Sequence, residues 1–284
     1  LTTDVETRRA RILRGIGDTS SFPEVATRVL SMAENPDTSA ADLARAISRD
    51  AVLTGCVIRA SNSAAMASIQ QITSLPDAIL RLGLRQVRDI VVVGCLPNAS
   101  QSQSTPTFSS IWRRSVGSAI AMRLMGLDHG IGDPDFCFLV GLFHDIGRFH
   151  LSQTFPKAYD QISGSLSASN DWTMIERQIF GIDHTELGET MLRSWDMDEQ
   201  ICHAAKNHHQ VPSDLEGPAL LVAAVDEILD QIEADDESED ELRTDSEFTT
   251  ACERLALVNE ERDEFIARIK WAIEQEIEFF STAP

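Results

Sequence analysis

Leu142-Phe143-His144-Asp145-Ile146-Gly147-Arg148 is the stretch on which the reading of this chain turns. It sets an adjacent histidine and aspartate inside an apolar run from Phe136 to Phe149. Asp133-Pro134 just upstream is a helix-start signal, because proline is tolerated in a first helical turn. The run therefore reads as one buried helix, Asp133 to Leu151. A carboxylate in such a helix is costly unless it is paired with a cation or bound to one. What satisfies Asp145 is the question that the rest of the chain has to answer.

Outward from this stretch, apolar residues keep recurring at helical spacing. Upstream, helices are expected from Phe22-Pro23 to Asn35-Pro36, after the Thr38-Ser39 cap, from Ala51 to the Ser61-Asn62-Ser63 break, from Ser74 to Leu82, and from Arg85 to Cys95. The β-branched run at Ile90 to Val93 would also suit a strand, but Val87, Ile90, Val91 and Gly94 share a helical face. Asn98 to Thr107 is rich in Ser, Gln and Thr and reads as a surface linker. Ile111 to Leu127 is a long helix whose Gly117, Ser118, Ala119 and Ala121 allow close approach to a neighbour. Downstream come Ser167 to Phe180, His184 to Trp195 capped by Asp183, Asp198 to His209, and Ala219 to Ile232. Asp235 to Asp240 is an acidic run, a solvated loop or frayed helix end rather than a binding tail, followed by amphipathic helices Phe248 to Leu257 and Asn259 to Phe280. The fold class is all-α, a two-lobed helical bundle. Residues 1–100 form an N-terminal helical lobe and residues 107–230 a second helical lobe. Residues 231–284 form the acidic loop and C-terminal helices.

The formal net charge of −21 over 284 residues argues against a nucleic-acid or anionic-membrane partner, whose phosphates are held mainly by Lys and Arg. The five cysteines, an odd number with no C-x-x-C pair, suit a reducing compartment rather than a disulfide framework. No secretory pattern opens the chain, and no apolar stretch approaches the ~20 residues of a membrane span. The expectation is a soluble cytoplasmic protein.

Four histidines, His144, His184, His208 and His209, fall where helices can bring them to Asp145. Asp226 stands in the apolar run Leu220 to Asp226 and needs a partner for the same reason as Asp145. Imidazoles with carboxylates are the donor set of iron, manganese, zinc or nickel sites, and helical bundles build such centres from facing helices. Taken singly, each residue has a plainer reading as a satisfied core group or as a helix C-terminal charge. His129, His150 and His203 are read as ordinary surface or half-buried residues.

His144-Asp145-Ile146-Gly147-Arg148, with His184, His208-His209 and Asp226 downstream, resembles the HD superfamily of metal-dependent phosphohydrolases. Further phrases narrow the likeness: Phe22-Pro23-Glu24-Val25-Ala26, Ile47 to Thr54, Ala60-Ser61-Asn62-Ser63-Ala64, and Ile72 to Gly83. In that order they resemble the HDOD (HD-related output) domain of bacterial signalling proteins, over about Thr19 to Asp230. The resemblance makes the 107–230 lobe HD-like. It implies a metal set of His144, Asp145, His184, His208, His209 and Asp226, holding a divalent ion (iron, manganese, zinc, nickel or magnesium) or none.

The sequence departs from that pattern in three places. Trp112-Arg113-Arg114-Ser115 puts Arg114 in the slot of the first ligand histidine. A guanidinium offers no lone pair and stays protonated. Either Arg114 swings away and leaves a weakened site, or its charge replaces the cation by pairing with Asp145 or Asp226 in a bidentate fork. Gln210-Val211-Pro212-Ser213-Asp214 replaces the Gly-Tyr-Pro phrase of cyclic di-GMP hydrolases. Arg148 stands where Lys is usual and is a candidate phosphate contact. The resemblance therefore implies a signalling output or scaffold module, acting on a protein partner or small-molecule ligand, with a degenerate and non-catalytic site. The alternative is a metal-dependent phosphohydrolase acting on a nucleotide or phosphodiester. The C-terminal helices, with Phe265, Ile269, Trp271, Ile273, Ile277 and Phe280, pack on this chain or on a second copy in a homodimer.

Overall fold

The computed structural model describes residues 2–18, 22–33, 35, 37–63, 66, 71–96, 105–130, 132–165, 172–237, 249–257 and 259–280. Among these residues there is no strand, and the fold is all-α as expected. Two compact units divide the chain: residues 1–19 with 105–273, and residues 20–104 with 274–284. The first helix, α1 (Thr2–Asp18), belongs to the larger unit and carried no clear signal in the sequence.

The smaller unit holds α2 (Glu24–Ala33), α3 (Ala40–Ile47), α4 (Ala51–Ser61), α5 (Leu75–Leu82) and α6 (Leu84–Gly94). Their starts are written in side chains that satisfy the free amides of a first turn. Ser39 and Asp42 form a capping box on α3, Asp50 accepts from Val52 and Leu53, and Ser74 accepts from Asp77. Asn62 then clamps the chain after α4. Its amide donates to the Ile72 carbonyl (2.7 Å) and its oxygen accepts the Ile72 amide (2.8 Å). Val87, Ile90, Val91, Val92 and Val93 are all buried in α6. Burial on every side explains why their β-branched run left helix and strand hard to separate by period.

The larger unit continues with α7 (Pro106–His129), α8 (Pro134–Phe143), α9 (Ile146–Thr154), α10 (Pro156–Ser165), α11 (Trp172–Phe180), α12 (His184–Ser194), α13 (Glu199–Asn207), α14 (Gly217–Glu237), α15 (Thr249–Arg254) and α16 (Asn259–Phe280, to residue 273). The close packing expected of α7 is realised against α8. A Cβ on Gly141 would stand 2.6 Å from the Ser118 carbonyl oxygen and 2.9 Å from Ala119 Cα, so the two backbones touch. α16 packs within this chain, with Arg262 donating to Gln231 of α14 (2.9 Å) and Arg268 paired with Asp128 at the end of α7 (2.8 Å).

Several expectations need correction. The helix expected from Asp133 to Leu151 is broken at His144-Asp145, where Asp145 leaves helical geometry (φ −99°, ψ 16°). Consecutive residues of an unbroken helix diverge by ~100°. The break lets both side chains turn to one point. The helix expected from Ile111 starts earlier, at Pro106 with Thr105 as its cap, because the Ser/Thr-rich composition of the linker masked a cap signal. α10 was not foreseen. The Asp235–Asp240 run, read as a solvated loop or a frayed helix end, begins as the end of α14, which runs to Glu237. The remainder of that run, the linker over 98–104, the start of the helix expected from Ser167, and Pro36, Ala64 and Phe248 lie outside the described residues.

His150, expected to be a surface or half-buried residue, is only 4% exposed. Its Nε2–H donates to the Ile12 carbonyl of α1 (3.2 Å). Burial holds its pKa below the usual histidine range. The unfolded chain takes up this proton first, so stability present above the ordinary pKa near 6.5 is lost as pH falls. His150→Gln keeps a donor for Ile12 without the titration. Urea midpoints measured from pH 7 to pH 5 should fall less steeply in that variant than in the parent.

Candidate metal centre

His144, Asp145, His184, His208, His209 and Asp226, expected together from the sequence, do converge. They come from the α8–α9 break, the first residue of α12, the end of α13 and the middle of α14. Asp145 is 4% exposed and His144 and His184 are fully buried, while His209 reaches solvent. His203 is exposed, and the side chain of His129 lies outside what is described.

Helix ends explain how three of the rings are aimed. The last carbonyls of a helix have no intrahelical partner. His144 caps α8 and donates Nδ1–H to Gly141 O (2.7 Å). His208 caps α13 and donates Nδ1–H to Ala205 O (3.0 Å). His184 opens its helix instead, and its Nδ1–H goes to the buried carboxylate of Glu176 (2.6 Å). Each ring therefore turns its Nε2 inward.

Asp145 is the hub. Its Oδ1 lies 3.5 Å from His184 Nε2, 3.6 Å from His208 Nε2 and 3.1 Å from Arg148 Nε. Its Oδ2 is 3.6 Å from His144 Nε2, which is also 3.6 Å from Asp226 Oδ1. His209 Nε2 approaches His184 Nε2 at 3.1 Å. The contacts near 3.6 Å are too long for hydrogen bonds. His144 Nε2, His208 Nε2 and Asp145 Oδ1 accordingly have no hydrogen-bond partner although they are buried. Donor atoms around one cation at ~2.1 Å stand ~3.0–3.4 Å apart, so a slight contraction would bring these atoms into a coordination shell.

Among the described residues two donor groups could hold an ion: Asp145, His184, His208 and His209, and His144, His208 and Asp226. Their protonation states suit that use. Burial raises Asp145, but Arg148, then His144 and His208, hold it well below the usual carboxylate range. Burial keeps His208 low, hence neutral. His144 differs: burial pulls it down, yet Asp145 and Asp226 together leave it raised.

Arg114 lies beside the second group. Neither arrangement foreseen for it is met in full. It neither swings away nor forks onto one carboxylate, because α14 presents a ladder of acidic residues one helical turn apart. Arg114 Nη2 meets Asp226 Oδ1 (3.3 Å), the Asp226 carbonyl (3.3 Å) and Asp230 Oδ1 (2.7 Å), and Nη1 meets Glu233 Oε2 (3.1 Å). Its side chain is 15% exposed. Arg148, the candidate phosphate contact, is paired with Asp145 and stacked on Trp172, its guanidinium carbon 4.8 Å from the ring centroid.

The sequence reading missed Glu176, Tyr159, Asp230 and Glu233. Glu176 had a legible signal: it shares a helical face with Trp172 and Phe180, four residues either side, so a carboxylate there had to be buried and partnered. Tyr159 lay on a helix that was not foreseen.

A family model of the HDOD domain matches residues 20–211. An uncharacterised protein of Treponema pallidum (strain Nichols) is 20% identical over 230 residues, covering 78% of this chain and 44% of its own length. The chain thus spans under half of that relative. Among solved structures, an HDOD domain protein of unknown function from Geobacter sulfurreducens aligns with a TM-score of 0.69 at 20% identity, over 98% of this chain and 99% of its own. A Shewanella amazonensis SB2B protein, named provisionally a phosphohydrolase, gives 0.67 at 22% over 96% and 98%. A Marinobacter aquaeolei VT8 protein, named provisionally a signal transduction protein, gives 0.70 at 20% over 93% and 59%. At these identities the likeness establishes the fold. Among the described residues, no helix is long and apolar enough to cross a membrane.

Proposed function

The chain belongs to the HDOD domain family, and from that premise we propose that it is a signal-transduction output or scaffold module whose HD-type site does not turn over a phosphoester. The observation that carries this reading is Arg114 bound to Asp226, Asp230 and Glu233. A fixed cation occupies the side of the site where the HD pattern calls for an electron-pair donor, and it draws Asp226 into ion pairing. Asp226 is left well below the usual carboxylate range, burial being outweighed by His144 and Arg114. The partner is a signalling protein or a small-molecule ligand.

The residues fit retention of one divalent ion on Asp145, His184, His208 and His209. Such an ion, when bound, supplies a Lewis acid and an activated water. Arg148 balances the charge of Asp145, and His208 contributes a neutral lone pair. Hydrolysis of a nucleotide or phosphodiester is the second reading, favoured by the three buried donor atoms that lack hydrogen-bond partners.

Metal analysis of the purified chain, alongside turnover of a generic phosphodiester, separates the two readings. The expected result is at most one metal per chain and no turnover above His144→Ala and Asp145→Ala controls. Turnover abolished by both substitutions would replace the first reading with the second. Arg114→His is expected to raise metal uptake.

A further inference from the structure

His184 is the one inward-facing ring of the three that its own helix does not aim. His144 and His208 sit at helix C-terminal ends, where spare carbonyls accept their Nδ1–H. His184 is the first residue of α12, and a helix start exposes amides rather than carbonyls. An acceptor has to come from another element, and α11 supplies it.

Glu176 is fully buried and Tyr159 of α10 is 1% exposed. Glu176 Oε2 accepts both the His184 amide (2.8 Å) and the His184 Nδ1–H (2.6 Å). Glu176 Oε1 accepts the Tyr159 hydroxyl (2.8 Å). Three donors meet two oxygens, and a carboxylate accepts all three with its charge facing the ring; an amide would keep a single acceptor oxygen and carry no charge. Because the carboxylate accepts only, Nδ1 of His184 carries a proton and Nε2 faces the cluster. That Nε2 lies 3.5 Å from Asp145 Oδ1 and 3.1 Å from His209 Nε2.

We infer that Glu176, itself held by Tyr159, is the positioning residue of this centre: it fixes the tautomer and plane of His184 so that Nε2 serves as a ligand atom. The inference rests on the reading that the cluster holds a cation. Carboxylates behind ligand histidines raise ligand basicity, and their loss typically costs 10–100-fold in metal affinity.

The test uses the full chain, with Glu176→Gln and Tyr159→Phe, and two measurements. Long-range proton–nitrogen spectra of the metal-free protein report the His184 tautomer. Calorimetric titration with Zn2+ reports affinity, and circular dichroism verifies the fold. The parent should carry Nδ1–H on His184. Glu176→Gln removes the negative charge behind the His184 ring and should weaken Zn2+ binding roughly 10–100-fold. Tyr159→Phe, which removes one hydroxyl, should weaken it less and in the same direction. Unchanged affinity in Glu176→Gln overturns the inference. Should Glu176→Gln fail to fold, unchanged affinity in Tyr159→Phe overturns it. A parent chain that takes up no Zn2+ overturns the metal reading alone, and the tautomer measurement then decides the positioning role.

Discussion

Gly147→Ala is expected to abolish metal uptake and to destabilise the chain by roughly 3 kcal/mol or more, at or beyond the upper end of overpacking costs. Gly147 lies in the first turn of α9, against the start of α12. A methyl group there would overlap the His184 carbonyl oxygen and stand 2.8 Å from its carbon and 2.9 Å from its Cα. All three atoms are backbone, so no side chain can rotate aside. Relief requires α12 to move away from α9, and His184 moves with it. Asp145 and His184 belong to the same donor group, so sub-ångström displacement of one loosens the whole set. Chemical unfolding measures the stability loss, and Zn2+ titration of whatever remains folded measures the site. A variant with parental stability and parental metal affinity would show that the α9–α12 contact is slack.

Arg114→Ala is expected to cost about 2–3 kcal/mol. Removing one partner of a buried ion pair typically costs about 3–5 kcal/mol; the lower figure allows for Asp230 and Glu233, whose side chains are 43% and 55% exposed and partly screened. What remains is three carboxylates on one face of α14 without their cation. Burial already raises Asp230 and Glu233 while Arg114 opposes it. Without Arg114 the deficit is largest where all three are ionised and shrinks as pH falls from 8 toward 5 and Asp230 and Glu233 take up protons. A divalent ion can stand in for the guanidinium, and at ~100 times its Kd a bound ion returns about 2.7 kcal/mol. Added Mn2+ should therefore raise the melting temperature of Arg114→Ala more than that of the parent. Equal shifts in the two proteins would show that Arg114 does not occupy a cation's place.

Much of this was legible in residue order. Ser39, Ser74 and Asp183 announced helix starts because capping is a local event, confined to one turn. The four histidines, Asp145 and Asp226 stood out because charges and imidazoles in apolar helices demand partners wherever those partners lie; Arg114 stood out through the HD resemblance alone.

The identity of those partners was a matter of tertiary structure. Two lone helices, α1 and α10, had little local signal, and with them went the burial of His150 and the role of Tyr159. The break after Phe143 is set by the need for His144 and Asp145 to face one point, and an apolar run carries no trace of it. Arg114 chose a ladder on α14 rather than a fork on one carboxylate because Asp226, Asp230 and Glu233 stand a helical turn apart, more than a hundred residues downstream. Residue order determined which groups had to be satisfied; only the packing of distant helices decided what satisfies them, because burial is a property of the assembled bundle and not of any one turn.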